Sequence, residues 1–239
     1  MTLNLISLGM NANSLTAEAL DAIKSSDKIY LENYTVNFPY KIKDLKIKVT
    51  ELSREQIENE SILKEAKTKT ISLLVYGDAL SATTHIHLIL AAKKQNIPYK
   101  IFHNASILTT VAETGLSLYK FGKTTSMPNW AEHTNKPKSF ADYIAQNQSI
   151  NAHTLLLIDI GLKIKDAINQ LKQSAKNLPE KIVLLSNAGT QNQKIFYDTP
   201  KNLTTTYPLP STPYCLIIPA ELHFLEEKAL NEFKTNLNH

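Results

Sequence analysis

LLVYGDALSATTH, Leu73 to His85, is the stretch on which the fold turns. It begins as an apolar run of strand type, bends at Gly77-Asp78 and continues into what reads as the first turn of a helix. A strand that ends in a polar turn and then a helix sets that turn at the carboxyl edge of a sheet, where open α/β sheets bind ligands. One carboxylate (Asp78), three hydroxyls (Ser81, Thr83, Thr84) and one imidazole (His85) gather there. The N–H groups of a helix start lie beside them. An ordinary turn needs less, only Gly77 for the bend and Thr83 or Thr84 as helix cap. On this stretch alone a ligand edge and a plain turn are both open.

Upstream, Leu3 to Leu8 is a compact apolar strand closed by Gly9. A polar loop follows, with Thr16 as N-cap of a helix whose stripe is Ala19, Leu20 and Ile23. Ser26-Asp27 turns into KIYLENY, a strand with Ile29 and Leu31 on one face. The unit has the size of a β–α–β crossover. Gly9 stands alone, without G-x-G-x-x-G, which disfavours a dinucleotide site. Residues 35–70 are lysine-rich and peripheral, with a helical pattern from Ser53 to Lys69 and a capping box of Ser53 and Gln56. Downstream, the strand Thr70–Tyr76 leads into the central turn. A helix from His85 to Lys94 is expected to turn Ile86, Ile89 and Leu90 inward. Pro98 to Phe102 is the next strand, ending in HNASI (His103 to Ile107), and Leu108 to Gly115 is helical. Two successive polar turns at strand ends suggest one shared pocket.

The second half begins with a strand into a loop, Phe121 to Pro128, and an irregular segment from Asn129 to Lys138 that suits a linker and holds the only tryptophan, Trp130. A short helix (Ser139–Gln146), an apolar strand (His153–Ile160) and a helix from Lys163 to Lys176 follow. The strand from Lys181 to Gly189 ends in Asn187-Ala188-Gly189. QKIFYDT reads as another strand. Tyr214 to Ile218 is a strand, with a helix from about Ala220. The first half alternates strand and helix and reads as a parallel sheet; the second has more strands per helix and reads as a mixed sheet.

The 239 residues allow one large domain or two of ordinary size, and 43% hydrophobic with 20% charged residues permits a real core. No run of eighteen apolar residues marks a membrane span. The opening MTLNLISLGM lacks a basic flank and a cleavage site, so a strand is expected rather than a signal peptide. Cys215 is alone, cannot form an internal disulfide, fits a reducing cytosol and sits in an apolar run as a core residue. The net charge of +4 is mild, lysines are dispersed, Arg54 is the only arginine, and no nucleic-acid module is present. A solvated basic surface, or one that docks an acidic protein, fits this pattern. Six glycines leave little from which to build a phosphate-cradling loop.

The set SLGM, GDALSATTH, HNASI, LYKFG, HTLLLIDI, NAGTQNQKI and LIIPAELHFLE, in this order and spacing, resembles archaeal diphthine synthases, a family of the tetrapyrrole-methylase-like class of S-adenosylmethionine-dependent methyltransferases. The resemblance spans nearly the whole chain; the GD…ATTH and HNASI blocks are its specific part. It implies two α/β domains, residues 1–125 and 126–239, with the cofactor S-adenosylmethionine in the cleft between them, and a cytoplasmic homodimer. The implied substrate is translation elongation factor two bearing an aminocarboxypropyl-histidine. Its amino group would be methylated to diphthine on the way to diphthamide, with three methyls in archaeal members. Membrane and direct nucleic-acid partners are not implied, nor is a metal. By motif, the cofactor-contacting positions fall on Met10, Asp78, Ser81, Ser106, Ile107, Ile158, Ala188 and Tyr214. The chain departs from the family pattern at Ser7 (usually glycine), Ala79 (usually proline), Asn187 (usually arginine) and Tyr214 (usually histidine), and its segment after LLLIDI is shortened.

Methyl transfer to an amine needs positioning and a neutral nitrogen, not a nucleophilic side chain. No base is identified in the sequence. His85 is the obvious titratable group, equally readable as a structural helix residue. Trp130 is read as a packed linker anchor, Tyr119 and Phe121 as core, and His223 as a cleft or helix-start residue. Two alternatives stand beside the main reading: a methyltransferase of the same fold acting on a tetrapyrrole or RNA, and a non-catalytic binding protein.

Overall fold

Strands with apolar residues on both faces belong inside a parallel sheet, and β1 (Thr2–Ser7) is buried along all but its first residue. The computed structural model describes residues 1–205 and 213–233. After β1 come α1 (Ala17–Lys24), β2 (Lys28–Glu32), β3 (Thr50–Leu52), α2 (Arg54–Glu58), α3 (Ser61–Ala66), β4 (Thr70–Val75), α4 (Ile86–Lys94), β5 (Tyr99–Phe102) and α5 (Ile107–Thr110). The five strands pair in the order β3-β2-β4-β1-β5, every neighbouring pair parallel. The chain runs from β1 to one side, returns at β4, and crosses β1 to reach β5. The loops that leave the carboxyl ends of β4, β1 and β5 are therefore neighbours, at the place where the strand order reverses.

The chain divides into two compact units, Met1–Thr110 and the residues from Val111 onward. The second unit opens with two 3-10 turns, Val111–Thr114 and Leu118–Lys120. That unit continues with β6 (Thr125–Met127), α6 (Ser139–Ser149), β7 (Thr154–Ile158), α7 (Ile164–Ser174), β8 (Ile182–Ser186), β9 (Lys194–Asp198), α8 (Asn202–Thr205), β10 (Tyr214–Ile218) and α9 (Phe224–Asn231). Its sheet runs β6-β7-β10-β8-β9, with β6 parallel to β7 and every other pair antiparallel. The expected parallel first sheet and mixed second sheet are both present. The core of this unit joins Phe140 and Ile144 of α6, Ala167 and Leu171 of α7, and Leu156, Leu184 and Leu216 of the sheet.

Side-chain caps fix the starts of α1 and α2. The Thr16 hydroxyl accepts from the Ala19 amide at 3.2 Å and starts α1. Ser53 and Gln56 form the expected capping box, 3.3 Å and 2.9 Å. The helix anticipated from Ser53 to Lys69 is instead two short helices, because Glu60 takes a left-handed φ of 58° between them. Three other expectations fail. Ile86 and Leu90 of α4 are exposed at 51% and 60%, while Leu88, Ile89 and Ala92 are buried. Tyr119 is fully exposed on its 3-10 turn rather than in the core. The last helix begins at Phe224 rather than near Ala220, capped by His223. Trp130 is a buried anchor whose indole N–H donates to the Pro137 carbonyl at 2.9 Å. Cys215 is buried in β10, where burial pushes its thiol up to about 12.

Candidate active site

Past the ends of β1 and β4 the two segments touch once more. Gly9 and Gly77 exchange reciprocal backbone hydrogen bonds of 3.0 Å, as an isolated antiparallel bridge beyond two parallel strands. Both take left-handed backbone, with φ of 72° and 69°. Glycine meets that need without steric penalty. A Cβ at Gly9 would stand 2.6 Å from the Ser14 Cβ and 2.9 Å from the Asn104 Oδ1. Gly9→Ala is expected to cost about 2 kcal/mol in urea unfolding, from left-handed strain and from the displaced loop. An unchanged midpoint would show that the loop relaxes freely.

Asp78 follows this bridge and is 8% exposed. Both its oxygens are filled by the chain. Oδ1 accepts from the Leu80 amide (3.0 Å) and the Ser81 hydroxyl (3.1 Å). Oδ2 accepts from His103 Nδ1 (2.8 Å), the Asn104 amide (3.3 Å) and the Ser7 hydroxyl (3.5 Å). Burial alone would raise its pKa, but the hydrogen bonds from His103, Leu80, Asn104 and Ser81 outweigh it, and the carboxyl titrates below its ordinary value. One carboxylate thus fastens the loops after β1, β4 and β5. The family's glycine is Ser7 in this chain, and its hydroxyl also accepts from the Ala79 amide at 2.9 Å, so this departure adds a tie to the same hub. Asn104 supplies another: its side-chain amide donates to the carbonyls of Ser7 (3.4 Å) and Ser14 (2.8 Å).

The remaining first-unit candidates surround the hub. Met10 is buried, and its carbonyl accepts from the Tyr76 hydroxyl at 3.3 Å. Ser81 is half-buried on Asp78. Ser106 is buried and caps α5, its hydroxyl accepting from the Leu108 amide at 3.2 Å, and the half-buried Ile107 opens that helix. Met10, Asp78, Ser81, Ser106 and Ile107 therefore share one edge of the parallel sheet. His85 lies beneath it, 1% exposed, with its Nδ1–H donating to the Ala79 carbonyl at 3.2 Å. Burial lowers its pKa, against the opposing charge of Glu32. The same carbonyl accepts from the Thr83 hydroxyl at 2.6 Å, so Thr83 closes the turn rather than capping α4.

In the second unit, Ile158 ends β7 and Ala188 follows β8. Because β10 runs antiparallel to both, its first residue, Tyr214, lies at that same sheet edge, in register with Ser186. Tyr214 is buried, its hydroxyl donates to the Leu162 carbonyl at 2.8 Å, and burial raises its pKa. Asn187 has φ of 49°, a left-handed conformation that asparagine tolerates better than arginine. That conformation lets its amide donate to the Pro213 carbonyl and its carbonyl accept from the Thr190 hydroxyl.

His103 and Asn104 belong to the first edge and were not singled out from the sequence. The available signal was position: HNASI leaves the carboxyl end of β5 just as GDALS leaves that of β4. Among the described residues no group of three His, Cys, Asp or Glu could hold a metal ion, and no helix is long and apolar enough to cross a membrane.

A parallel α/β sheet with its polar turns gathered on one edge, followed by a mixed α/β unit, defines a class. Residues 2–204 match the family model described as tetrapyrrole (corrin/porphyrin) methylases, and the chain belongs to that family. Within it, the chain is 36% identical to a protein named diphthine synthase from Methanocaldococcus jannaschii, over 98% of this chain and 99% of that one. It is 36% identical to a protein named diphthine methyl ester synthase from Homo sapiens, over 83% of this chain and 74% of that one. A crystal structure of diphthine synthase superposes with a TM-score of 0.88 at 29% identity, covering 98% of this chain and 96% of that one.

Proposed function

We propose that this protein is a diphthine synthase: an S-adenosylmethionine-dependent methyltransferase that methylates the amino group of the aminocarboxypropyl-histidine of translation elongation factor two. The observation that carries the reading is the Asp78 hub, which fastens the loops after three strands along one edge of the parallel sheet. The full-length similarity to a protein named diphthine synthase favours this acceptor over a tetrapyrrole or an RNA. It also weighs against a non-catalytic role.

The residues suit such a cofactor. Met10 and Ile107 offer apolar surface, Ser81 and Ser106 offer hydroxyls, and the glycine bridge lets backbone approach closely. No glycine-rich phosphate loop is present, and this cofactor carries no phosphate. Met10, Asp78, Ser81, Ser106 and Ile107 of the first unit, with Ile158, Ala188 and Tyr214 of the second, are the proposed binding set. Asp78 contributes by holding the loops, since its own oxygens are already filled. When bound, the cofactor would supply an electrophilic methyl group for the amine lone pair. The protein's part is to align the amine and exclude competing water. The reading includes a homodimer, carried by the family resemblance, and a cytoplasmic location, which the lone Cys215 fits.

The human relative's printed name adds a second reading, in which a carboxylate oxygen is methylated after the amine. Mass spectrometry of the treated elongation factor counts the methyls, and mild alkali removes an ester while leaving N-methyl groups. The direct test of the cofactor site is calorimetry with S-adenosylhomocysteine. Micromolar binding is expected; absence of heat at millimolar ligand would sink the assignment.

A further inference from the structure

At the carboxyl end of β5 one imidazole differs from the others of the first unit. His85 is buried beneath the turn, and His87 donates Nδ1–H to the Thr84 carbonyl on the side of α4. His103 has its side chain 66% exposed, yet its Nδ1 is held at 2.8 Å by the buried carboxylate of Asp78. A carboxylate can only accept, so Nδ1 carries the proton. In the neutral ring, Nε2 then presents a bare lone pair on the side away from Asp78. Among the described residues, none hydrogen-bonds Nε2, and Asp78 is the one charged group set against the ring. The groups that anchor Asp78 come from the ends of three strands, so the imidazole is oriented by a fixed carboxylate. A buried carboxylate that fixes the tautomer and steadies the imidazolium is the arrangement by which a histidine serves as a base.

The reaction needs such a group. An amino-acid amine is largely an ammonium at neutral pH and has no lone pair to give. After the first methyl is transferred, the nitrogen is again a protonated ammonium. One proton must therefore leave before each methyl arrives, and the final trimethylammonium carries none.

We propose that His103 is the proton acceptor of this methyl transfer, with Asp78 as its positioning residue. In each cycle the N–H bond of the substrate ammonium breaks and its electron pair returns to nitrogen. The proton bonds to His103 Nε2, while the Asp78 carboxylate, still bonded to Nδ1–H, faces the imidazolium. The exposed ring then passes the proton to water. This assignment rests on the methyltransferase reading of the same edge.

The test uses the full chain, His103→Ala and His103→Gln, with elongation factor two bearing the aminocarboxypropyl-histidine as acceptor. Glutamine can still hydrogen-bond Asp78 but cannot take up a proton, so it separates chemistry from folding. Expected for both variants is a kcat lower by about 100-fold, within the range of general-base catalysis, with S-adenosylhomocysteine bound within twofold of wild type. The rate should climb more steeply with pH than in wild type, and added imidazole should partly restore the alanine variant. A kcat within threefold of wild type with the same pH profile would overturn the assignment. So would loss of S-adenosylhomocysteine binding in the glutamine variant alone, which would make His103 part of the cofactor site. Failure of the wild type itself to bind that ligand would instead remove the underlying reading, and the assignment with it.

Discussion

Asp78→Ala is expected to lower stability by about 3 kcal/mol and to weaken S-adenosylhomocysteine binding at least tenfold, about 1.4 kcal/mol. The substitution strands five donors: the hydroxyls of Ser7 and Ser81, the amides of Leu80 and Asn104, and His103 Nδ1. Each buried donor left unpaired costs about 1–3 kcal/mol, and those that can turn to water cost less. The exposed His103 ring will rehydrate, whereas the Ser7 hydroxyl, 1% exposed, has no such exit. Binding suffers because the loops after β1, β4 and β5 lose their common tie and must be ordered by the ligand. Asp78→Asn should fall between, since one of its two polar atoms becomes a donor facing donors. Urea unfolding and calorimetry on the three proteins read both effects. A stable Asp78→Ala that binds like wild type would show that the glycine bridge alone holds the edge.

The sheet was legible because burial leaves a plain mark. β4 and β1 are apolar on both faces and read as strands without periodicity, and β8 and β10 are buried along every residue in the same way. α7 was legible for the opposite reason, one inward stripe of Ile164, Ala167, Ile168 and Leu171 against a polar face. α4 misled because IHLILAA is apolar all round. Two stripes were available, and packing chose Leu88, Ile89 and Ala92 over Ile86 and Leu90. The break at Glu60 is a backbone event at a residue whose side chain gives no warning of it.

The candidate site was half legible. Asp78 and Ser106 announce themselves as polar residues just past apolar strands. The bond between Asp78 and His103 does not, because it spans 25 residues and depends on sheet order. β4 and β5 are consecutive in the chain, but β1 lies between them in the sheet. The contact therefore reaches across the end of a third strand. Ser7 is the same case: as a letter it is a missing glycine, and only the fold turns it into a ligand of the hub.

Glu226→Ala should be the most damaging change in the second unit, costing about 3–5 kcal/mol. Glu226 opens α9 yet is 4% exposed. Its Oε1 accepts from the Ser117 amide (2.9 Å) and His153 Nε2 (3.1 Å). Its Oε2 accepts from the His223 amide (2.9 Å) and the Lys120 ammonium (3.3 Å). The fully buried His153 is committed, because its Nδ1 accepts from the Ala220 amide at 2.9 Å and only Nε2–H is left to donate. One carboxylate thus bolts the start of α9 to the 3-10 turn at 118–120 and to the residue before β7. Burial works against its charge, but the hydrogen bonds from Ser117, His223 and His153 outweigh it and hold its pKa down to about 2, from an ordinary 4.5. A depressed carboxyl stabilises the fold fully above pH 4.5, and that share, on the order of 3 kcal/mol, drains away as pH falls from 4.5 through 2. His153 acts with the same sign at higher pH: burial lowers its pKa, so its contribution begins to fall as pH drops below 6.5. In Glu226→Gln the shape stays and the charge goes. Its stability deficit against wild type should be largest near neutrality and shrink steadily below pH 4.5. Thermal unfolding of both proteins from pH 7 to pH 3 checks this, and a deficit that stays constant across that range would mean the carboxylate's charge contributes nothing to the bolt.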